Sequence, residues 1–197
     1  MGLKSVSIPN SVTSIKERTF EYCISLTSVS IPNSVTSIDL QAFSGCSGLK
    51  SVSIPNSVTS IGSNAFYGCS SLTSVSIPNS VTFIGGKAFY NCSKLTSIEL
   101  PKVLKDIPDY CFNGTHIRDI VIPASVMSVG NAAFNINDSI KTVVIEDSDV
   151  SITFNDYEYY NFDNSGARYT VYQGRNIERV YNKWASPYPQ ATSITTT

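Results

Sequence analysis

Apolar and polar positions alternate along this chain in a pattern that returns at a nearly constant interval. In one unit Val52 and Ile54 are apolar, Ser51 and Ser53 are polar, and Pro55 follows. A spacing of two is expected for a short strand with one buried face, and proline ends the strand because it has no N–H for the next ladder bond. The unit recurs every 23 residues, with a slightly shorter step before the sixth head, and the seven heads are Leu3, Leu26, Leu49, Leu72, Leu95, Ile117 and Ile140.

The second half of each unit has apolar positions of its own. A pair such as Val58 and Ile61 follows the proline and fits the return path of a coil. Gly62, Gly85 and Gly130 come next, and we expect them to permit a tight turn, because glycine tolerates strained backbone. A later aromatic position predicts a plug in the core of each coil, occupied by Phe43, Phe66, Phe89, Phe112 and Phe134.

A period in this range, headed by Leu-x-x-Val-x-Ile, is typical of a leucine-rich-repeat solenoid. Stacked coils pair strand to strand at about 4.8 Å, and one unit cannot bury its apolar face without its neighbours. The sequence therefore predicts an α/β fold that is β-rich overall. We expect a parallel β-sheet on the concave face, with loops and short helical turns on the other face.

Three segments are expected along the chain. Residues 1–146 form the solenoid. Residues 147–189 are rich in aromatic side chains and form a variant repeat or a C-terminal cap, because solenoids close their ends with atypical units. Residues 190–197 form a Thr-rich tail.

The whole unit, Leu-x-x-Val-x-Ile-Pro-x-x-Val-x-x-Ile-Gly-x-x-Ala-Phe-x-x-Cys, resembles the BspA-like, or Treponema pallidum-type, leucine-rich repeats from residue 3 to about residue 145. It departs from the ordinary leucine-rich repeat by placing serine, such as Ser34 and Ser57, where Asn or Cys follows the strand. The resemblance implies a bacterial cell-surface or secreted protein, often host-associated, that acts as an adhesin or interaction protein rather than an enzyme. The stretch from Val171 to Ile177 is similar to a variant module of longer family members.

Charge and composition narrow the choice of partner. The 197 residues carry a formal net charge of −1, whereas nucleic acids and anionic membranes require a dense basic field. No apolar stretch is long enough to span a bilayer. The chain begins directly in a repeat strand, so we expect a piece of a longer surface or secreted protein. We also expect end-to-end self-association through the uncapped N-terminal coil, residues 3–15.

Four cysteines occupy the same place in consecutive units: Cys23, Cys46, Cys69 and Cys92. A metal or redox site is one interpretation, but no pattern of His or carboxylate residues accompanies them. A thiol is also a good small hydrophobe, and equivalent positions on stacked coils point side by side into the core. We predict a structural role, with no metal and no cofactor.

The outward strand positions of the first four units carry hydroxyls, which could bind glycans or a partner's backbone or could be soluble filler. The first four units carry only Lys4 and Lys50 as outward charges, and from the fifth unit on the pattern diversifies, with Glu99, Arg118, Asp119 and Lys141. Unlike charges on a rigid scaffold steer and orient a partner, and drift of solvent-exposed positions is the alternative. We take these four residues as a candidate surface for an extracellular or host protein.

The last quarter of the chain adds Tyr172, Arg175 and Trp184 as further candidates. Exposed aromatic rings there would form a platform for sugars or a protein hot spot, and closure of the solenoid end is the alternative.

Catalysis finds no support in the sequence. The only histidine is His116, and no nucleophile, phosphate-loop or paired-histidine motif is present. The predicted function is a non-enzymatic protein-binding or adhesion module. A passive spacer and glycan binding through the C-terminal aromatic residues are the alternatives.

Overall fold

The chain winds into successive coils, each of which contributes one strand to each of two parallel ladders. The computed structural model describes residues 2–135, 139–146 and 148–155, together with the backbone of 156, 168–171, 177–181 and 194–196. We number the coils from their heads: coil 1 is 3–25, coil 2 is 26–48, coil 3 is 49–71, coil 4 is 72–94, coil 5 is 95–116, coil 6 is 117–139, and coil 7 begins at 140.

The odd-numbered strands form the first ladder, here called the first sheet. They are β1 (Ser5–Ser7), β3 (Ser28–Ser30), β5 (Ser51–Ser53), β7 (Ser74–Ser76), β9 (Ser97–Glu99), β11 (Asp119–Ile122), β13 (Thr142–Ile145), β15 (Arg168–Val171) and β17 (Ile194–Thr196). Pairing is parallel and in register, as in Ser51↔Ser74 and Ser74↔Ser97. Regular pairing is interrupted between β3 and β5 and between β9 and β11. Isolated hydrogen bonds join the coils there, such as the one from the N–H of Lys50 to Thr27 O (3.3 Å).

The even-numbered strands form the second sheet on the return path of each coil. They are β2 (Ser14–Ile15), β4 (Ser37–Ile38), β6 (Ser60–Ile61), β8 (Phe83–Ile84), β10 (Asp106–Ile107), β12 (Ser128–Val129), β14 (Ile152–Asp156) and β16 (Ile177–Tyr181). They pair in the orders β2-β4-β6-β8 and β10-β12-β14-β16, again in parallel. The proposed division at residue 146 stays a prediction, and both ladders run past it.

The core lies between the two sheets and follows the alternation predicted from the sequence. In β5 the Val52 side chain is buried between two exposed serines, and Ile54 behind it is buried too. The core aromatic rings stack in one column, each on the ring of the next coil, with centroids 5.1–5.5 Å apart and planes within 5–19°. The column consists of Phe20, Phe43, Phe66, Phe89, Phe112 and Phe134. Since stacking joins neighbouring coils, stability lies in the interfaces between them.

The expected α/β class and the short helical turns are wrong, because the described residues form strands and turns but no helix. Gln41 (φ 54°) and Gly45 (φ 70°) have left-handed backbone, which breaks a right-handed helical path. The N–H of Phe43 donates to Ala65 O of the next coil at 2.8 Å, whereas the N–H of Cys46 donates to Phe43 O at 3.2 Å. Some N–H groups of the turn thus donate to the next coil instead of donating within their own turn.

The glycines expected to permit a tight turn serve a different purpose. Gly62, Gly85 and Gly130 do not have positive φ. A Cβ added to Gly62 would lie 2.6 Å from the carbonyl carbon of Asp39, and one added to Gly85 would collide with the backbone of Ser63. These glycines therefore allow adjacent coils to approach closely, which is a packing requirement rather than a conformational one.

The serines stand where the ordinary repeat has Asn or Cys, and they form hydrogen bonds between neighbouring coils. Each hydroxyl donates to a carbonyl oxygen of the preceding coil at 2.7 Å, in the pairs Ser34–Val12, Ser57–Val35, Ser80–Val58 and Ser125–Leu104. Coil 5 carries Val103 at this place, so it has no hydroxyl to donate.

Candidate functional site

The outward face of the first sheet is uniform in coils 1–4. The serines of β1, β3, β5 and β7 are all exposed. Before these strands, Thr27 Oγ1 donates to Lys4 O at 3.0 Å and Thr73 Oγ1 donates to Lys50 O at 3.3 Å. Part of the hydroxyl ladder is therefore used to hold coils together.

The four predicted charged residues share the outward face of coils 5–7. Glu99, Arg118, Asp119 and Lys141 are all exposed. The N–H of Lys141 donates to Arg118 O at 2.7 Å, which places these two cations on adjacent coils. Asp119 is the first residue of β11 and pairs in register with Thr142. The ladder thus brings residues that are far apart in sequence onto one surface.

An apolar spot lies beside these charges and was missed in the sequence analysis. Val121 is 47% exposed and pairs in register with the half-buried Val144 on the next coil. The N–H of Arg118 donates to Thr96 O at 3.3 Å, and at this offset Glu99 falls beside Val121. The outward positions of β11 therefore combine one acid and one apolar side chain. The period-two alternation of Asp-Ile-Val-Ile was the signal that could have revealed it.

The charges of this surface are not engaged with one another. In the described part of the chain the ion pairs within 4 Å are Lys16–Asp39 at 3.8 Å and Arg18 with Glu17 at 3.6 Å and Glu21 at 3.7 Å. All of these lie in coils 1 and 2. Glu99, Arg118, Asp119 and Lys141 form none of these ion pairs, so their charges remain available to a partner.

We call the surface formed by Glu99, Arg118, Asp119, Val121, Lys141 and Val144 the charged face. It has an apolar spot next to charges of both signs, an arrangement typical of protein interfaces with an apolar centre and a polar rim. The same face in coils 1–4 has neither feature.

The cysteine column lies in the core, as a structural role requires. Cys46, Cys69 and Cys92 are buried and Cys23 is half-buried. The thiols of Cys46, Cys69 and Cys92 donate to phenylalanine carbonyl oxygens of the preceding coil at 3.0–3.2 Å. Burial raises the pKa of the Cys46 and Cys92 thiols to about 12, so both stay protonated at neutral pH. The described residues contain no group of three or more metal-ligating side chains.

The remaining residues singled out from the sequence are His116 and three residues near the C-terminus. Exposed His116 lies in the turn before β11. Tyr172, Arg175 and Trp184 lie outside the described residues. No helix capable of crossing a bilayer occurs within the part of the chain that the structure describes.

The stacked parallel strands, the 22–23-residue offset of coils 1–6 and the serine bonds between coils define a leucine-rich-repeat solenoid, with no helix among the described residues. Six copies of the BspA type leucine rich repeat region match residues 1–85 and 59–183. The chain belongs to this family. A comparison with curated proteins found no match.

Solved bacterial leucine-rich-repeat proteins share the fold. A protein from Bacteroides ovatus is 25% identical with a TM-score of 0.55, covering 98% of this chain and 65% of the other. The Treponema pallidum leucine rich repeat protein is 30% identical with a TM-score of 0.57, covering 76% and 59%. A leucine rich cell surface protein from Faecalibacterium prausnitzii is 25% identical with a TM-score of 0.53, covering 92% and 61%. The chain thus spans 59–65% of the length of these proteins.

Proposed function

We propose that this chain is a non-enzymatic protein-binding module of a bacterial cell-surface or secreted protein, and that it acts in adhesion. The observation that carries the proposal is that exposed Val121, paired in register with half-buried Val144, lies beside the charged side chains of Glu99, Arg118, Asp119 and Lys141. The membership of a repeat family and the cell-surface description of the Faecalibacterium protein support the location. The partner is an extracellular or host protein.

In the proposed mechanism the charges govern association with the partner and the apolar spot governs dissociation. Charges of both signs on a rigid sheet raise the encounter rate and fix the orientation of a partner with a complementary pattern. The Val121–Val144 spot then loses its water when the partner docks, and this burial slows dissociation. Because the coils are fixed at about 4.8 Å spacing, the pattern is presented without an ordering cost.

The test is a binding screen of the purified chain against a panel of extracellular-matrix proteins. A triple variant, Glu99→Ala, Arg118→Ala and Asp119→Ala, should lose binding and salt dependence. The variant Val121→Ser should speed dissociation, because it removes the apolar side chain that the partner buries. Serine is the residue that coils 1–4 carry at this place.

The matched control is Ser53→Ala, which changes the equivalent outward position in coil 3. If a partner binds equally well to the wild type, the triple variant and Val121→Ser, the charged face is not the binding surface. Silence across the panel would favour a second function, a passive spacer, which the featureless outward face of coils 1–4 supports.

A further inference from the structure

The contact between coils 4 and 5 is the place where the second sheet is interrupted. This sheet pairs in two separate groups, β2-β4-β6-β8 and β10-β12-β14-β16, so β8 of coil 4 and β10 of coil 5 are not paired. In coil 4 the residue before the strand donates to the preceding coil, from the N–H of Thr82 to Thr59 O at 2.9 Å. Lys105 holds this place in coil 5, and its N–H forms no hydrogen bond with Thr82 O.

Pro108 explains why coil 5 does not pair with coil 4 on the return path. Gly62, Gly85 and Gly130 hold the same place in other coils, and the N–H of each donates to an isoleucine carbonyl oxygen of the preceding coil at 2.7–2.8 Å. Proline has no N–H, so this bond cannot form from Pro108 to Ile84 O. A Cβ at Gly85 would lie 2.3 Å from a backbone nitrogen of coil 3, so a glycine is needed for the close approach there. The ring of Pro108 does not allow the same approach.

Two hydroxyl groups are missing from the same side of coil 5. In coil 4 the hydroxyls of Ser80 and Thr82 donate to carbonyl oxygens of coil 3 at 2.7 and 3.4 Å. Val103 and Lys105 hold the equivalent places in coil 5, and neither has a hydroxyl. Two backbone bonds and two hydroxyl bonds that join coil 4 to coil 3 thus have no counterpart between coil 5 and coil 4.

The opposite side of the same contact remains bonded. In the first sheet β7 pairs with β9 in register, and at the corner after β9 the N–H of Lys102 donates to Asn79 Oδ1 at 2.8 Å. In the turn, the N–H of Phe89 donates to Cys111 O at 2.9 Å. The rings of Phe89 and Phe112 stack at 5.5 Å. Coils 4 and 5 are thus hydrogen-bonded along one side and not along the other, which is the geometry of a hinge.

Two other contacts lack regular pairing, but in the first sheet rather than the second. Coils 2 and 3 keep the bond from Ser57 Oγ to Val35 O and the pairing of β4 with β6. Coils 5 and 6 keep the bond from Ser125 Oγ to Leu104 O and the pairing of β10 with β12. Among the described coils, the contact between coils 4 and 5 is where the strand pairing, the glycine donor and the serine hydroxyl are lost together on one side.

We propose that the contact between coils 4 and 5 is a hinge that divides the solenoid into two cooperative units, coils 1–4 and coils 5–7. Opening separates β8 from β10 while β7 stays paired with β9. Because each repeat is stabilised by its neighbours, a contact with fewer bonds sets the boundary between cooperative units. The buried Leu104 and Ile107 favour the closed state, since apolar burial is not directional and remains when these bonds are absent. The charged face lies wholly on coils 5–7 and turns with them as one body.

The experiment is hydrogen exchange of the intact chain at increasing low urea concentrations, measured on peptic peptides by mass spectrometry. We expect peptides of coils 3 and 4 to share one free energy of opening and one urea dependence, and peptides of coils 5 and 6 to share another. The return path of coil 5, residues 103–108, should exchange faster than the return paths of coils 4 and 6. A single opening free energy across coils 3–6, or a boundary between other coils, would overturn the proposal.

A repaired hinge gives the second arm of the test. The double variant Val103→Ser, Pro108→Gly supplies the hydroxyl and the N–H that other coils have. It should slow exchange of residues 103–108 about 5–30-fold and merge the two groups of peptides into one, because each hydrogen bond adds to the coupling of the coils. An unchanged boundary in a variant with native circular dichroism would contradict the hinge.

A transplanted hinge gives the third arm. The double variant Ser80→Val, Thr82→Lys places the residue types of coil 5 in coil 4 and leaves Gly85 unchanged. It should speed exchange of the return path of coil 4 about 5–30-fold. Ser53→Ala, on the exposed face of the first sheet, is the matched control and should leave both groups of peptides as they are. If the transplant behaves like this control, the missing bonds do not set the boundary and the proposal fails.

Discussion

The hydrogen bonds from serine hydroxyls to the preceding coil should contribute measurably to stability. Ser57 Oγ donates to Val35 O at 2.7 Å, a short and well-formed hydrogen bond. Ser57→Ala removes this donor and leaves the carbonyl oxygen of the preceding coil without it. A typical intramolecular hydrogen bond contributes about 0.5–1.5 kcal/mol to stability. We therefore expect the free energy of unfolding to fall by about 1 kcal/mol, or about fivefold in the folded-to-unfolded ratio.

The reverse experiment exists in coil 5, where Val103 occupies the serine position. Val103→Ser should create a bond to Val81 O like the one Ser57 makes to Val35 O. The valine is 42% exposed, so the change gives up only part of the burial of a full core valine, and the new bond offsets this loss. We expect the free energy of unfolding to stay the same or to rise by up to about 1 kcal/mol. A valine-to-serine change in a core would have the opposite sign.

Both changes are measured by urea denaturation, comparing midpoints at a constant slope. The control is Ser53→Ala, an exposed serine that should change stability by less than about 0.5 kcal/mol. If Ser57→Ala matches this control, or if Val103→Ser destabilises by more than about 1 kcal/mol, the hydroxyl does not hold the coils together.

Three further predictions follow from the core and the first coil. Phe66→Ala opens the middle of the aromatic column and should cost about 3–5 kcal/mol by urea denaturation, whereas Phe66→Leu, which keeps most of the volume, should cost much less. Because burial raises the pKa of Cys92 from 9.0 to about 12, its contribution to stability is full below pH 9 and is lost as pH rises toward 12. Denaturation at several alkaline pH values should therefore show a shallower decline for Cys92→Ala than for the wild type, and equal slopes would contradict this. Leu3 is 47% exposed and Val6 is half-buried, so we propose end-to-end association through coil 1. Sedimentation should then show a mass that rises with protein concentration, and a constant monomer mass would refute the proposal.

The sequence was sufficient to predict the repeating coil and the side chains that point into its core. A fixed period of 23 residues admits one stacking, and alternation in segments such as Ser51–Ser53 determines which side chains enter the core. The family resemblance followed from the same repeated unit and is confirmed by the six matching copies.

The turns could not be predicted in the same way. Non-glycine residues such as Gln41, Lys87 and Tyr110 adopt left-handed backbone there, although their side chains give no sign of it. Their conformation is imposed by bonds to the next coil, which no local pattern contains. The close approach at Gly62 was hidden for the same reason, since it involves a residue 23 positions earlier.

The candidate site was predicted only in part. Charges that replace serine stand out in a repeat, so Glu99 and Asp119 were found from sequence. Val121 was overlooked because valine is common in the inward positions, and only its place in the alternation of β11 reveals that it points outward.

The 23-residue offset between coils 1–4 bears on how such a protein changes over generations. In the second sheet each of these coils pairs with the next at equivalent positions, so duplication or loss of one whole unit among them leaves these pairings unchanged. A gain or loss within a strand would shift all later pairings. The length of the solenoid can thus vary in steps of about 4.8 Å, while the divergent coils 5–7 keep the residues of the charged face. Near-identical coils 2–4 are the part of the molecule that can supply length without altering that face.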